Sequence, residues 1–232
     1  MSRKEPIIAI DGPVGAGKSV AARELARALG FAYLNTGAMY RAVALAAREA
    51  GVSPDDPNVE QRLASILKGT KIKFDGEKIL LNGRDVTARK DEPEIGDLAS
   101  RFSALGSVRA RMRELQRAAG ADGGVVMEGR DIGTAIFPDA EFKFFLVADV
   151  KTRARRRFEE LRKKGGTITE QEVLEQLVER DRRDSGRELA PLKRADDATE
   201  IDSTKLSIDA VVAAMKAKIN PRINAAKDLK RA

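Results

Sequence analysis

Eight residues near the start, Gly12-Pro13-Val14-Gly15-Ala16-Gly17-Lys18-Ser19, limit the possible folds more than anything else in the chain. They fit the phosphate-loop pattern G-x-x-x-x-G-K-[ST], which has physical meaning only between a strand and a helix. Both flanks are present: the apolar run Ile7-Ile8-Ala9-Ile10-Asp11 before it and the Ala/Leu-rich stretch Val20–Leu29 after it. Glycines at 12, 15 and 17 permit positive φ angles and close backbone approach, so successive N–H groups can converge on polyphosphate oxygens. The following helix adds its positive end, Lys18 reaches the outer phosphates, and Ser19 offers a hydroxyl to the magnesium ion that accompanies them. A structural glycine turn is the alternative, and the strand-to-helix setting argues against it. Gly12 through Val20 is therefore the expected ATP-binding segment, with Ser19 as its metal contact, in an α/β fold.

The chain of 232 residues suits one domain, 1–232, carrying an inserted subdomain, and 42% hydrophobic content is enough for a core. It has no Cys and no His. Disulfides, the usual zinc ligand sets and an imidazole general base are thereby excluded, leaving carboxylates, Lys, Arg and backbone for any chemistry. No run of about 18 apolar residues exists and the first residues do not form a signal sequence, so a soluble, cytoplasmic protein without a membrane partner is expected. The net charge of +7 is unevenly spread. Residues 151–164 hold eight basic and two acidic side chains and residues 216–232 six and one, so the remainder is net negative. A basic stretch beside a phosphate loop reads as polyphosphate handling, and 4% aromatic content leaves little for stacking on single strands. No nucleic-acid partner is expected, and the basic end reads as a solvated tail.

Along the chain, Gly30 reads as a helix C-cap and Phe31-Ala32-Tyr33-Leu34 as a short buried strand. Asn35 or Thr36 caps a second helix that runs to the Gly51 stop. Arg41, one turn in, lies near the strand's carboxyl end, where doubly wound sheets bind ligands, although a solvated helix arginine fits equally. After the linker Ser53–Pro57 and a helix through Leu63, Ile66 and Leu67, the pattern turns antiparallel. Lys71–Phe74 and Lys78–Leu81, with Asp75-Gly76 and Asn82-Gly83 as tight turns, are foreign to a parallel sheet. Residues 53–105 thus read as an insertion over the nucleotide site. Two further helices carry Ser100, Arg101, Arg109, Arg111 and Arg113, most of these arginines facing solvent. The parallel sheet resumes at Val125-Val126-Met127 and ends in Glu128-Gly129-Arg130-Asp131, which puts the Arg-Asp pair at the carboxyl edge, as a ligand site or as a plain turn. A strand at Phe142–Val147 leads into a helix, Val150–Lys164, with arginines at 153, 155, 156 and 157, only one or two of which can face a phosphate. Gly165-Gly166 breaks it, and Thr169-Glu170-Gln171-Glu172 has capping-box spacing for another. Near its end Arg180, Asp184 and Arg187 fall on one helical face, a ligand cluster or a self-neutralising ladder. Residues 151–188 read as a mobile lid, because a phosphoryl donor must be shielded from water. A last strand at Ile201-Asp202 and a helix from a Ser207 cap over Ile208–Ile219 precede a frayed tail at 220–232.

These segments together resemble the bacterial cytidylate kinases, within the nucleoside monophosphate kinases. The likeness covers essentially the whole chain: Ile10-Asp11-Gly12-Pro13, Asn35-Thr36-Gly37-Ala38-Met39-Tyr40-Arg41, Glu128 through Thr134, Phe137-Pro138-Asp139-Ala140, and Arg180 through Leu192. It implies a P-loop kinase with a parallel sheet of about five strands, an acceptor-nucleotide subdomain and an arginine-rich lid, transferring the γ-phosphoryl of ATP to CMP or dCMP with Mg2+. By the same resemblance the CMP phosphate falls to Arg41, Arg130 and Arg187, cytosine to Ser100, Arg109 and Asp131, and the ribose to Arg180 and Asp184, with Thr36 beside them. Arg156 and Arg157 are the lid arginines toward ATP, and Lys18, Arg130, Asp131, Arg156 and Arg157 form the catalytic set. Val14 stands where the family usually has Ser, and Asn35 where it usually has Asp. A monomer is expected.

Phosphoryl transfer to a phosphate needs little proton chemistry, so the lack of histidine does not count against this reading. Rivals on the same fold are kinases of uridylate, shikimate or dephospho-coenzyme A. A GTP-dependent switch is disfavoured because no D-x-x-G or N-K-x-D occurs. A nucleic-acid-stimulated ATPase would be recognised by an RNA-dependent rate.

Overall fold

A computed structural model of the chain describes residues 3–75, 78–89 and 92–229. Five strands, β1 (Ile7–Asp11), β2 (Ala32–Asn35), β6 (Val125–Gly129), β7 (Phe142–Val147) and β8 (Thr199–Asp202), form a parallel sheet in the order β2-β6-β1-β7-β8. Central β1 has no polar alternation because both its faces are covered: Ile7 and Ala9 point into one apolar cluster, Ile8 and Ile10 into another. The second cluster is closed by α1 (Lys18–Leu29) and α8 (Ile208–Leu229), through Leu25, Val211 and Met215. The first is closed by α2 (Thr36–Glu49) and by the elements that follow it.

Those elements are α3 (Val59–Gly69), the antiparallel strands β3 (Ile72–Asp75), β4 (Lys78–Leu81) and β5 (Arg84–Asp85), α4 (Pro93–Phe102) and α5 (Gly106–Ala119). The β4–β5 turn has Asn82 and Gly83 at φ 51° and 82°, the doubly left-handed geometry that an Asn-Gly pair favours. Gly76, assigned to the preceding turn, lies outside the described residues. Leu63, Ile79, Leu81, Ile95 and Phe102 join Met39, Val43 and Met127 in one continuous core. At its rim Glu49 of α2 pairs with Arg84 and Arg89, each at 2.6 Å.

On the far side α6 (Val150–Lys163) and α7 (Glu170–Ser185) form a hairpin broken at Gly165, φ 82°. The Thr169–Glu172 capping box is present. The hairpin has a small core of its own, Ala154, Val173 and Leu177, and Val14 of the phosphate loop packs on it.

Three sequence expectations need correction. β2 is not a buried strand: it begins at Ala32, which is exposed, and only Leu34 is buried, because β2 forms the sheet's edge and lacks a neighbour on one side. The last helix does not stop at Ile219 but continues to Leu229, so a frayed tail from 220 is wrong as far as residue 229; residues 230–232 lie outside the described set. Arg222, Ala225, Ala226, Lys227 and Leu229 favour a helix and extend the one already begun, while Pro221, Asn220, Asn224 and Asp228 disfavour it without forbidding it. Finally, α7 ends at Ser185, so Arg187 is not on a helical face with Arg180 and Asp184.

Candidate active site

In this sheet the chain leaves β1 toward β2 on one side and later returns to β7 on the other, so the connections diverge at the carboxyl end of β1. The phosphate loop sits there. Gly12, Gly15 and Gly17 have φ of 144°, 80° and 90°. Gly12 is also held by space, since a Cβ on it would come within 2.1 Å of the Leu146 carbonyl oxygen. Lys18, the first residue of α1, is buried, and its Nζ donates to the Pro13 carbonyl at 2.6 Å. Burial, then the neighbouring Arg130 charge, push its amine down to about 7, with Glu128 and Asp11 opposing. Lys18 is therefore an amine held without a full counter-charge, and a phosphate would supply one. Ser19 follows it in the first turn.

A second group of side chains faces the loop from three directions. Arg130, beyond the end of β6, donates from Nε to Asp184 Oδ2 at 2.9 Å. Arg187 returns to the same carboxylate, Nη2 to Oδ1 at 3.3 Å, and Arg180 Nε stands 3.9 Å from Oδ2. Past the end of α7 the Gly186 turn keeps Arg187 against Asp184, the proximity that an i,i+3 helical pair would also have. Burial pushes the Asp184 carboxyl up, but Arg130, Arg180 and Arg187 outweigh it and hold the group below the usual carboxylate range. Burial, and then the like charge of Arg130, push Arg180 down. Arg41 belongs to this field, its charge bearing on Arg180.

The third arm comes from α4 and α5. Asp131 forms a buried ion pair with Arg109, whose Nη1 donates to the Ser103 carbonyl at 3.2 Å. The Ser103 hydroxyl in turn accepts from Arg187 Nη1 at 3.0 Å and donates to the Ser100 carbonyl at 2.7 Å. Asp131, Arg109, Ser103, Arg187, Asp184 and Arg130 therefore form one connected polar chain. Burial dominates Asp131 and raises its carboxyl despite Arg109 and Arg187. Within this cluster Ser100 Oγ, Arg109 Nε, Arg180 Nε and Arg187 Nη2 are buried without a hydrogen-bond partner. Arg180 Nε and Arg187 Nη2 have only their longer ion-pair contacts with Asp184, and unpaired buried donors are costly and uncommon, so the cluster keeps hydrogen-bonding capacity for a polar ligand.

The remaining sequence candidates are placed as follows. Thr36 is buried, with its hydroxyl donated to the Glu128 carbonyl at 2.8 Å. Asn35 caps α2 by accepting from the Ala38 N–H at 3.0 Å. Arg156 donates to Ser203, 2.7 Å to its carbonyl, and the Ser203 hydroxyl donates to Ala16 of the loop at 2.9 Å. Arg157 pairs with Glu160 at 2.7 Å. Val20, beside the loop, is 48% exposed. Arg109 departs from the solvent-facing expectation for its helix.

Sequence reasoning gave no individual role to several residues that the structure brings in. Arg153 is buried and donates to the Val14 carbonyl at 3.1 Å and to Asp181 at 2.6 Å, tying α6, α7 and the loop together. Glu128 is buried and accepts from the Tyr33 hydroxyl at 2.9 Å. Asp11 is buried at the end of β1 and accepts from two backbone N–H groups across the sheet. The available signal was a charge at the end of an otherwise apolar strand.

The parallel sheet, the glycine loop opening α1 and the facing arginines define a P-loop kinase. The family model for cytidylate kinase matches residues 8–221. The chain is 49% identical over 221 residues to a cytidylate kinase of Citrifermentans bemidjiense, covering 94% of each, and 47% identical to that of Geobacter sulfurreducens, covering 95% of each. It belongs to the cytidylate kinase family. In fold alone it is similar to an uncharacterized protein from Eubacterium ventriosum, with a TM-score of 0.51 at 16% identity over 93% of this chain and 99% of that one.

Proposed function

We propose that the protein transfers the γ-phosphoryl group of ATP to CMP, and to dCMP, giving ADP and the corresponding diphosphate. The observation that carries the acceptor assignment is the buried Asp131–Arg109 pair beside the unpartnered Ser100 hydroxyl. Cytosine presents an amine donor and ring acceptors; Asp131 supplies the acceptor for the amine, and Ser100 and Arg109 the donors. Arg41, Arg130 and Arg187 hold the CMP phosphate, while Arg180 and Asp184 hold the ribose, with Thr36 fixing the start of α2 beside them.

At the donor side the backbone of Gly12 through Ser19 cradles the ATP phosphates, with Val20 behind it, and Lys18 leaves the Pro13 carbonyl for them. Arg157 trades its half-exposed pair with Glu160 for phosphate, a small loss for a surface ion pair. Arg156, one hydrogen bond removed from the loop through Ser203, adds charge on the same side. The 53–105 segment acts as acceptor subdomain and 151–188 as lid, within one domain. Magnesium fits this donor set: among the described residues no group of three or more carboxylates could hold a metal, so an ion takes its oxygens from phosphates, water and Ser19, as Mg2+ prefers. It supplies neutralisation of the phosphate charge. The rest is positioning by this chain's own cations, since the attacking phosphate oxygen is already ionised at neutral pH.

Among the described residues no helix is long and apolar enough to cross a membrane. We place the protein in the cytoplasm as a monomer acting on free nucleotides. Coupled ADP release with ATP and each nucleoside monophosphate in turn tests the proposal. CMP and dCMP should be turned over far more efficiently than UMP, AMP or GMP, and equal use of UMP would refute the base assignment.

A further inference from the structure

We infer that Asp11 is a positioning residue that sets the acceptor pair Arg130-Asp131 in register with the phosphate loop. Its carboxylate is buried, Oδ1 accepting from the Ile132 N–H at 2.9 Å and Oδ2 from the Gly133 N–H at 2.8 Å. These N–H groups open a π-helical turn, Ile132–Ile136, and are the donors that the first turn of a helix leaves without an internal partner. A carboxylate from another strand caps both. Within β6, Gly129 lies in register opposite Asp11 itself. Arg130 and Asp131 therefore span two residues whose ends are both fixed by the same point on β1. That leaves their backbone little freedom, and it aims Arg130 at Asp184 and Asp131 at Arg109.

A Cβ added at Gly133 would lie 3.2 Å from Lys143 Cδ and 3.5 Å from Asp11 Oδ2, so the turn packs closely against the Lys143 stem and the Asp11 carboxylate on that side. Asp11 is also followed directly by Gly12, the first glycine of the loop. One side chain thus ties the frame that holds ATP to the frame that holds CMP, each of its oxygens accepting from a backbone N–H of the turn. In-line transfer depends on the alignment of the two frames, and small misplacements are costly.

The inference rests on the acceptor reading of Arg130 and Asp131, so its test carries Arg130→Met as a control. Asp11→Asn keeps the size but turns one acceptor into an amine facing an N–H, releasing one of the two anchors. Steady-state kinetics with CMP varied at saturating ATP should show KM for CMP raised about tenfold or more and kcat lowered, the scale of a lost charge-assisted bond and a misplaced group. The Kd for ATP alone, by titration calorimetry, should change several-fold less than the KM for CMP: the loop backbone keeps its own contacts, and only the Asp11 charge that bears on Lys18 is lost. Gly133→Ala adds a methyl against both the Lys143 stem and the Asp11 carboxylate, presses on the same anchored turn and should give the same signature; it also serves if Asp11→Asn folds poorly. If Arg130→Met raises the CMP KM while Asp11→Asn and Gly133→Ala leave it unchanged, or if Asp11→Asn weakens ATP as much as CMP, the inference is overturned. If Arg130→Met itself leaves the CMP KM unchanged, the acceptor reading fails first.

Discussion

Asp184→Ala tests the electrostatic logic of the site most directly. The carboxylate is 4% exposed and is shared by Arg130, Arg180 and Arg187, so its removal leaves three guanidiniums facing one another without their common counter-charge. Removing one partner of a buried ion pair costs on the order of 3–5 kcal/mol. Arg130 and Arg180 keep 19% and 26% of their side-chain surface in water, which places the expectation at the lower end, about 3 kcal/mol. For a chain of this size that is a fall in Tm of roughly 6–12 °C, readable by thermal melts at pH 7 and low salt. Millimolar inorganic phosphate should restore more of the variant's Tm than of the parent's, because the stripped cluster is a better anion site. The pH dependence follows from the lowered carboxyl. Asp184 contributes fully above its unfolded pKa of about 3.9, and the contribution is lost as pH falls through the lower folded value, so the gap between parent and variant should close in acid. A variant melting within about 2 °C of the parent at pH 7 would refute the claim that Asp184 neutralises this cluster.

Three further outcomes are expected. Lys18→Ala should lower kcat by roughly 10²-fold or more in a folded protein, the scale for one charge-stabilising donor in a dry site, and turnover within a few-fold of the parent would remove Lys18 from the chemistry. Asp131→Ala should narrow the preference for CMP over UMP, because a carboxylate set against the uracil carbonyl costs about 1–3 kcal/mol, while overall activity also falls as Arg109 loses its partner; two Michaelis curves per variant decide it, and an unchanged preference would place base recognition elsewhere. Amide exchange over residues 151–188 should slow when ATP and CMP are both bound, and identical protection in the free and bound protein would leave a fixed hairpin in place of a lid.

The proposed donor site was legible in the sequence because it is local. A phosphate loop is eight consecutive residues whose glycines, lysine and flanking strand and helix act through backbone geometry, and the left-handed φ angles at Gly12, Gly15 and Gly17 follow from composition alone. The α7 capping box and the Asn82-Gly83 turn were readable for the same reason, each being complete within four residues, as was a cap at Asn35 or Thr36, of which the structure takes Asn35. The proposed acceptor site is not local. Its polar chain joins residues 103, 109, 131, 184 and 187 from separate elements, and the family likeness could name most of its members without showing how they connect. Arg187 reached Asp184 by a turn past the helix end, where periodicity had put it on the helix. Tertiary packing alone decided that β2 is an edge strand, that Arg109 is buried while Arg111 and Arg113 are not, and that Asp11 caps a turn 121 residues away. Short-range backbone preferences are written in neighbouring residues, whereas burial and charge pairing depend on which distant surfaces meet, and only the folded sheet brings those together.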